Sequence, residues 1–367
     1  MKRVVVGMSG GVDSAVSALL LKERGFDVVG LYMSNWKETD NSGCCTGEQD
    51  FYDVKKVCAD IGIPYYSVDF SKQYMDKVFK LFVEEYKRGR TPNPDVLCNS
   101  EIKFDAFKQF AKEMGADFIA TGHYARVEQK DGKNYMVRAA DENKDQTYFL
   151  NQLTSAQLQD VMFPVGDMVK NEVRDYAKLH NLSVAEKKDS TGICFIGERK
   201  FREFLAQYIP MRDGDIVTQD GRVVGRHKGV FYYTIGQRRG LGIGGNPVGE
   251  AWFVLGKNLE KNQLIVSQGE DSILFSSELY TEEFNFITDI PTENVFDCFA
   301  RIRHRQPLQK VRATIIFEGG NKTSANRENG KVMSVHLDFE KPQRAIAGGQ
   351  YAVLYTDKYC LGGGVIK

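Results

Sequence analysis

The sequence predicts an α/β N-terminal domain built on a doubly wound parallel sheet, followed by a small β-rich central domain and a C-terminal β-barrel. Three observations carry this. Up to about residue 205, short β-branched runs alternate with amphipathic stretches, the pattern of strands joined by crossover helices. After Met211-Arg212-Asp213-Gly214 that pattern stops, and short apolar runs separated by glycine-containing turns replace it. A chain of 367 residues also exceeds one typical core, so two or three domains are expected. The divisions fall at 1–208, 209–278 and 279–367.

In chain order, Val4–Met8 reads as a buried strand, Ala15–Arg24 as a helix, Val28–Trp36 as a strand, Phe51–Ile61 as a helix and Tyr65–Phe70 as the next strand. Lys72–Lys87 and Ile102–Met114 read as helices, with Phe118–His123 a further buried strand. Right-handed crossovers gather the loops after these strands on one edge, where ligands bind in doubly wound sheets. In the central part Gly229–Ile235, Ala251–Leu255 and Gln263–Ser267 read as strands; in the last part Val311–Phe317, Val332–Phe339 and Tyr351–Tyr355 do so.

Composition narrows the class. With 42% hydrophobic and 27% charged residues and no apolar run long enough to span a bilayer, a soluble protein with no membrane partner is expected. Met1-Lys2-Arg3 runs into Val4-Val5-Val6 and then a glycine-rich turn, which is no export signal, so the expected location is the cytoplasm. Seven irregularly spaced cysteines without a C-x-x-C pair argue against a disulfide framework and against a zinc or iron–sulfur site, so no metal ligands are assigned. Net charge is zero, but basic residues gather at Arg222, Arg226, Lys228, Arg238 and Arg239, and again at Arg301, Arg303, Arg305, Lys310 and Arg312. A local basic stripe is compatible with a neutral chain.

Ser9-Gly10-Gly11-Val12-Asp13-Ser14 lies between the first strand and the first helix, where backbone N–H groups and a helix N-terminus make an anion-binding nest. Gly10 and Gly11 admit close approach of a ligand, Ser9 and Ser14 offer hydroxyls, and Asp13 is suited to hold a metal ion on phosphates. The Walker spacing and its lysine are absent. Two further segments bring thiols next to charge. Arg90-Thr91-Pro92-Asn93-Pro94-Asp95-Val96-Leu97-Cys98-Asn99 reads as a rigid, non-helical loop with a carboxylate near a thiol. Lys187-Lys188-Asp189-Ser190-Thr191-Gly192-Ile193-Cys194 sets a thiol after two lysines, which favours the thiolate. Cys58, Cys298 and Cys360 read as small buried hydrophobes, and Cys44 and Cys45 as loop thiols.

The SGGVDS string resembles the pyrophosphate loop of the PP-loop ATPases, which cleave ATP to AMP and pyrophosphate. GMSGGVDS, RTPNPDVLCN, ATGHY, NKDQTYFL, KKDSTGICFIGERKFREFL, YTIGQRRGLGIGG and the terminal CLGGG together resemble the bacterial tRNA-specific 2-thiouridylases of that PP-loop (HUP-type) family, over essentially the whole chain. The resemblance implies ATP-dependent 2-thiolation of the wobble uridine of tRNA, with ATP and Mg2+ as cofactors. It places ATP on Gly7, Met8, Ser9, Gly10, Gly11, Val12, Asp13, Ser14, Met33 and Gly122. Cys194 would carry a persulfide received from an upstream donor, a cysteine desulfurase or a sulfur-relay protein; Cys98 would be the second catalytic thiol and Asp95 the acid or base. The uracil C2 oxygen leaves poorly until adenylated, after which sulfur displaces AMP. Cys98 then either attacks the persulfide, releasing sulfide and leaving a Cys98–Cys194 disulfide, or the persulfide attacks directly. Contacts with a flipped-out tRNA base and its stem are implied for Asn93, Pro94, Asp95, His123, Lys144, Asp145, Gln146, Arg303, His304 and Gln350.

Read from the residues alone, Lys144-Asp145-Gln146 is a polar turn before a strand. Arg301-Ile302-Arg303-His304-Arg305 is a strand whose guanidinium-bearing face either meets phosphates or is simply a solvated charged face. Two rival classes remain: another PP-loop enzyme that forms amides, which needs no thiol pair, and a nucleotide-regulated RNA-binding protein without catalysis.

Overall fold

The computed structural model describes residues 1–36, 46–189, 201–244, 250–269, 271–317 and 332–367. Cys44, Cys45 and Cys194 lie outside the described residues. Near the N-terminus, β1 (Arg3–Met8), β2 (Asp27–Ser34), β3 (Tyr65–Asp69), β4 (Phe118–Thr121) and β7 (Val161–Met162) form a parallel sheet in the order β3-β2-β1-β4-β7. The order reverses direction around β1. Val4, Val5 and Val6 are fully buried because β1 is covered on both faces, by α1 (Val12–Glu23) and α2 (Thr46–Ile61) on one side. The Met75–Phe79 and Cys98–Ala106 segments cover the other side.

The central sheet takes β8 (Gly214–Val217), β9 (Val223–His227), β10 (Trp252–Asn258) and β11 (Gln263–Gln268) in the order β10-β11-β8-β9. The last sheet is a closed barrel. Its strands β12 (Phe275–Phe286), β13 (Val295–Arg301), β14 (Gln309–Phe317), β15 (Val332–Arg344), β16 (Tyr351–Tyr355) and β17 (Tyr359–Ile366) run β12-β15-β14-β13-β16-β17, and β17 pairs back onto β12. Closure removes the open edge a β-sheet would otherwise expose. The hairpin of β5 (Arg126–Lys130) and β6 (Lys133–Val137) leaves the N-terminal part and adds to the barrel through Tyr359 and Cys360 of β17.

Four local expectations are corrected. Lys72–Lys87 is not one regular helix, since Met75–Phe79 is π-helical. The helix expected from Ile102 starts earlier: Pro94 serves as its first residue, where a missing N–H costs nothing, and Cys98–Ala106 continues as a π-helix. The non-helical part of that loop therefore ends at Asn93. Gly229–Ile235 holds a 3-10 turn, Val230–Tyr232: Gly229 before it has φ 148°, and a Cβ there would lie 2.5 Å from the Tyr232 ring. Finally, β13 stops at Arg301, so residues 302–305 are not a strand face.

Candidate active site

The loop after β1 is shaped by what it cannot accommodate. Gly10 has φ 72°, and a Cβ there would lie 2.6 Å from the Asp50 carbonyl oxygen. At Gly122, just past β4, a Cβ would lie 2.7 Å from the backbone of Asp13 and Ser14, so β4 presses directly on the first turn of α1. Met33 packs on Gly7, its Cε 3.2 Å from where a Cβ would stand. Ser14 Oγ donates to the Gly11 carbonyl at 3.0 Å and lies 3.3 Å from Ser9 Oγ. No side chain caps α1 at Gly11, which leaves its first N–H groups for an anion. These residues fit a nucleotide phosphate.

Around Asp13 runs an ion-pair network the sequence did not reveal. Lys170 Nζ binds both Asp13 oxygens, at 2.6 and 2.8 Å, and Tyr124 donates its hydroxyl to Asp13 at 2.8 Å. Lys170 also meets Asp189 at 2.9 Å, and Asp189 accepts from Lys144 at 2.7 Å and Arg174 at 2.6 Å. Burial by itself raises the Asp189 carboxyl, but the Lys144 and Lys170 ammoniums hold it well below the usual carboxylate range. Lys187 reaches the Gly10 carbonyl at 3.1 Å, Asp50 at 2.9 Å and Asp53 at 2.7 Å. The residues immediately before 190 are thereby tied to the phosphate loop. The only sequence signal for Lys170 was a lysine opening an amphipathic helix, which is too common to single out.

The second group of residues gathers at the end of β4. His123 is buried between Phe104 and Phe163, with Nδ1 2.7 Å from Thr121 Oγ1, and burial together with nearby Lys103 pushes its imidazole well below the ordinary value. It is neutral. Lys103 is also the charged neighbour of Asp95. The π-helix that starts at buried Cys98 thus carries Lys103 and Phe104 to His123, whose neighbour Gly122 contacts the phosphate loop. A single short strand end brings the nucleotide loop and the thiol-bearing helix together.

Burial raises the half-buried Asp95 carboxyl, although Lys103 opposes the shift. A carboxyl whose folded pKa exceeds its unfolded one contributes stability that is full below the unfolded pKa and lost as pH rises through the folded pKa. Asp95→Asn is therefore expected to raise the thermal midpoint relative to the parent by an amount that grows as pH rises above the ordinary carboxylate pKa of about 4. Thermal melts check this, and a difference that shrinks with pH would contradict it.

The loop before Asp95 is held by the other two sheets. Gln350 donates to the Thr91 carbonyl at 2.8 Å, Thr91 N–H donates to the Gly348 carbonyl at 2.9 Å, and Lys257 of β10 donates to the Gly89 carbonyl at 2.7 Å. Arg90 pairs with Glu85 and with Glu282 of the barrel. Asn93 and Pro94 follow directly, Pro94 buried and Asn93 half-buried.

Two expectations for charged residues, one in the basic run and one in the polar turn, are corrected. Arg301 does not face phosphate: it is 4% exposed, donates to Asp145 at 2.7 Å and lies over the Tyr355 ring. Asp145 is 2% exposed, and Thr147 and Arg301 take its oxygens, so it is an internal anchor rather than a surface contact. Lys144 and Gln146 on either side are half-buried; Gln146 Oε1 accepts from Tyr124 N–H at 2.9 Å, and a 3-10 turn, not a strand, follows. Arg303 is exposed, its guanidinium donating to the Ala345 carbonyl. His304 packs against Phe149 with the rings tilted by 42° and their centroids 4.5 Å apart, and burial followed by repulsion from Arg305 lowers its imidazole to about 4. Cys58 and Cys298 are kept as thiols by burial, pushed up to about 11 and about 12, and Cys360 is raised further.

A family model described as tRNA methyl transferase HUP domain matches residues 2–198, one described as tRNA methyl transferase PRC-barrel domain matches 202–268, and one described as aminomethyltransferase beta-barrel domain matches 276–366. The chain is 55% identical over 365 residues to a tRNA-specific 2-thiouridylase, MnmA 2, of Geobacillus kaustophilus, covering 99% of this chain and 94% of that one. It is 54% identical over 366 residues to the tRNA-specific 2-thiouridylase MnmA of Bacillus subtilis, with the same coverage. Among solved structures, the U34-tRNA thiolase NcsA from Methanococcus maripaludis is 19% identical over 56% of this chain and 65% of that one, with a TM-score of 0.34. A likeness that slight carries no argument. No helix among the described residues is long and apolar enough to cross a membrane.

Proposed function

The chain belongs to the tRNA-specific 2-thiouridylase family, and from that premise we propose how its residues divide the work of tRNA 2-thiolation. It is a tRNA sulfurtransferase enzyme. The observation that carries the proposal is the convergence at the end of β4, where Gly122 packs on the phosphate loop and His123 on the helix that begins at Cys98.

In this reading Gly7, Met8, Ser9, Gly10, Gly11, Val12, Asp13 and Ser14 cradle the ATP phosphates, with Met33 and Gly122 against the nucleoside. Mg2+ neutralises phosphate charge when bound, and Asp13 is the residue suited to hold it. Lys170 and Tyr124 now occupy that carboxylate, so Lys170 would turn toward the phosphates and supply the cation the loop itself lacks. AMP and pyrophosphate are the products, because adenylating the uracil C2 oxygen makes it a leaving group.

Asn93, Pro94 and Asp95 receive the flipped wobble base. Asp95, with its raised carboxyl, exchanges a proton with it, and His123 lines the pocket as a neutral ring. Cys98 and the persulfide-bearing Cys194 transfer sulfur, delivered by a cysteine desulfurase or relay protein in the cytoplasm. Lys144, Gln146, Arg303, His304 and Gln350 hold the tRNA, while Asp145, between the first two in the chain, anchors Arg301 inside. The division at 1–208, 209–278 and 279–367 remains part of the proposal, supported by the family matches that end and begin near those points.

Incubating the enzyme with tRNA, ATP, Mg2+ and a sulfide source, then analysing nucleosides by mass, tests this. The expected product is 2-thiouridine at the wobble position only; thiolation elsewhere in the tRNA would refute the assignment.

A further inference from the structure

Asn99 is 2% exposed and follows Cys98 directly on the π-helix. Its amide has one possible orientation. Nδ2 donates to the Phe149 carbonyl at 2.9 Å, and because that carbonyl only accepts, the nitrogen must be on that side. Oδ1 is therefore turned away from Phe149. It is buried, and no donor to it exists among the described residues. Its neighbour is different: Ser100 Oγ is satisfied by the Leu97 carbonyl at 3.3 Å. A buried acceptor without a donor is costly and rare in a folded protein, and sites where a ligand brings the donor are where it persists.

The surroundings say what kind of donor. Phe149, which fixes the amide, packs against the tilted His304 ring and follows Gln146 by three residues. Cys98 precedes Asn99, and Lys103 further along the same helix faces Asp95 and His123. The orphaned oxygen thus belongs to the residues assigned to the target base.

We infer that Asn99 Oδ1 accepts the N3–H of the target uracil and selects uracil over cytosine. The inference rests on the reading that the wobble base enters beside Cys98 and Asp95. In uracil, N3 carries a hydrogen and adjoins the C2 oxygen that is replaced; in cytosine, N3 is a bare acceptor. Cytosine would set its lone pair against Oδ1, leaving two buried acceptors facing each other. A neutral amide also suits the place better than a carboxylate, whose second oxygen would face the Phe149 carbonyl.

The test compares kcat/KM for two tRNA transcripts that differ only in wobble uridine or wobble cytidine. Sites built to bind a donor reject analogues lacking it by about 10⁴-fold, so the parent enzyme is expected to prefer uridine by at least about 10³-fold. Asn99→Ala and Asn99→Ser should lose activity on uridine and lower the uridine-to-cytidine ratio at least about tenfold. An active variant with an unchanged ratio would overturn the inference, since a residue acting only through the Phe149 carbonyl slows both substrates alike. If neither variant folds, the parent enzyme decides: thiolation of the cytidine transcript within about tenfold of the uridine one overturns it. Failure of the underlying reading is separable, because it shows as full thiolation by Cys98→Ser on the native transcript.

Discussion

Cys98→Ser is expected to lower 2-thiouridine formation by at least about three orders of magnitude, the scale lost when a reacting nucleophile is removed, while pyrophosphate release with tRNA present continues. The two activities separate because adenylation is assigned to the loop from Ser9 to Ser14, and the thiol enters afterwards. Serine is close in size to cysteine, and Cys98 sits in a packed position at 2% exposure, so the fold should tolerate the change. Measuring both products in one reaction distinguishes a lost sulfur step from a lost protein. Cys194→Ser is expected to behave alike.

Gly10→Ala is the second large effect, expected on the nucleotide rather than the sulfur. An alanine at φ 72° costs about 1–2 kcal/mol in backbone strain alone. Its Cβ would also lie 2.6 Å from the Asp50 carbonyl oxygen, a backbone atom that cannot swing aside as a side chain would. The loop or the start of α2 has to move, and Lys187, which binds both Gly10 and Asp50, moves with them. A displacement of about 1 Å at a reacting centre lowers turnover by about 10²-fold. Weakened ATP binding by calorimetry and at least that loss of pyrophosphate release are expected. Unchanged values for both would remove the loop from the site.

The layout of the fold was legible where local chemistry decides it. Val4-Val5-Val6 followed by Ser9–Ser14 reads as strand, nest and helix without help, and the change of pattern after Gly214 marks the shift to β structure. Interactions that depend on distant partners were not legible. Arg301 in an alternating basic run looks like a phosphate contact, and only the fold reveals that Asp145, 156 residues earlier, takes its charge inside. Lys170 is likewise invisible until α1 and its own helix meet and its ammonium pairs with Asp13 of the loop. The helix start at Pro94 was misjudged because two prolines suggest a break, whereas one of them occupies the position where helices accept it.

The claim on which the account depends is that the loop after β1 holds pyrophosphate as the leaving group of ATP. ATP analogues with a methylene group in place of one bridging oxygen test it, with wobble 2-thiouridine as the readout. Thiolation supported by the β,γ-methylene analogue and abolished by the α,β-methylene analogue is the predicted result. Thiolation that survives with the α,β-methylene analogue and fails with the β,γ-methylene one would mean that the bond to the γ-phosphate is the one broken, contrary to the role given to Ser9 through Ser14.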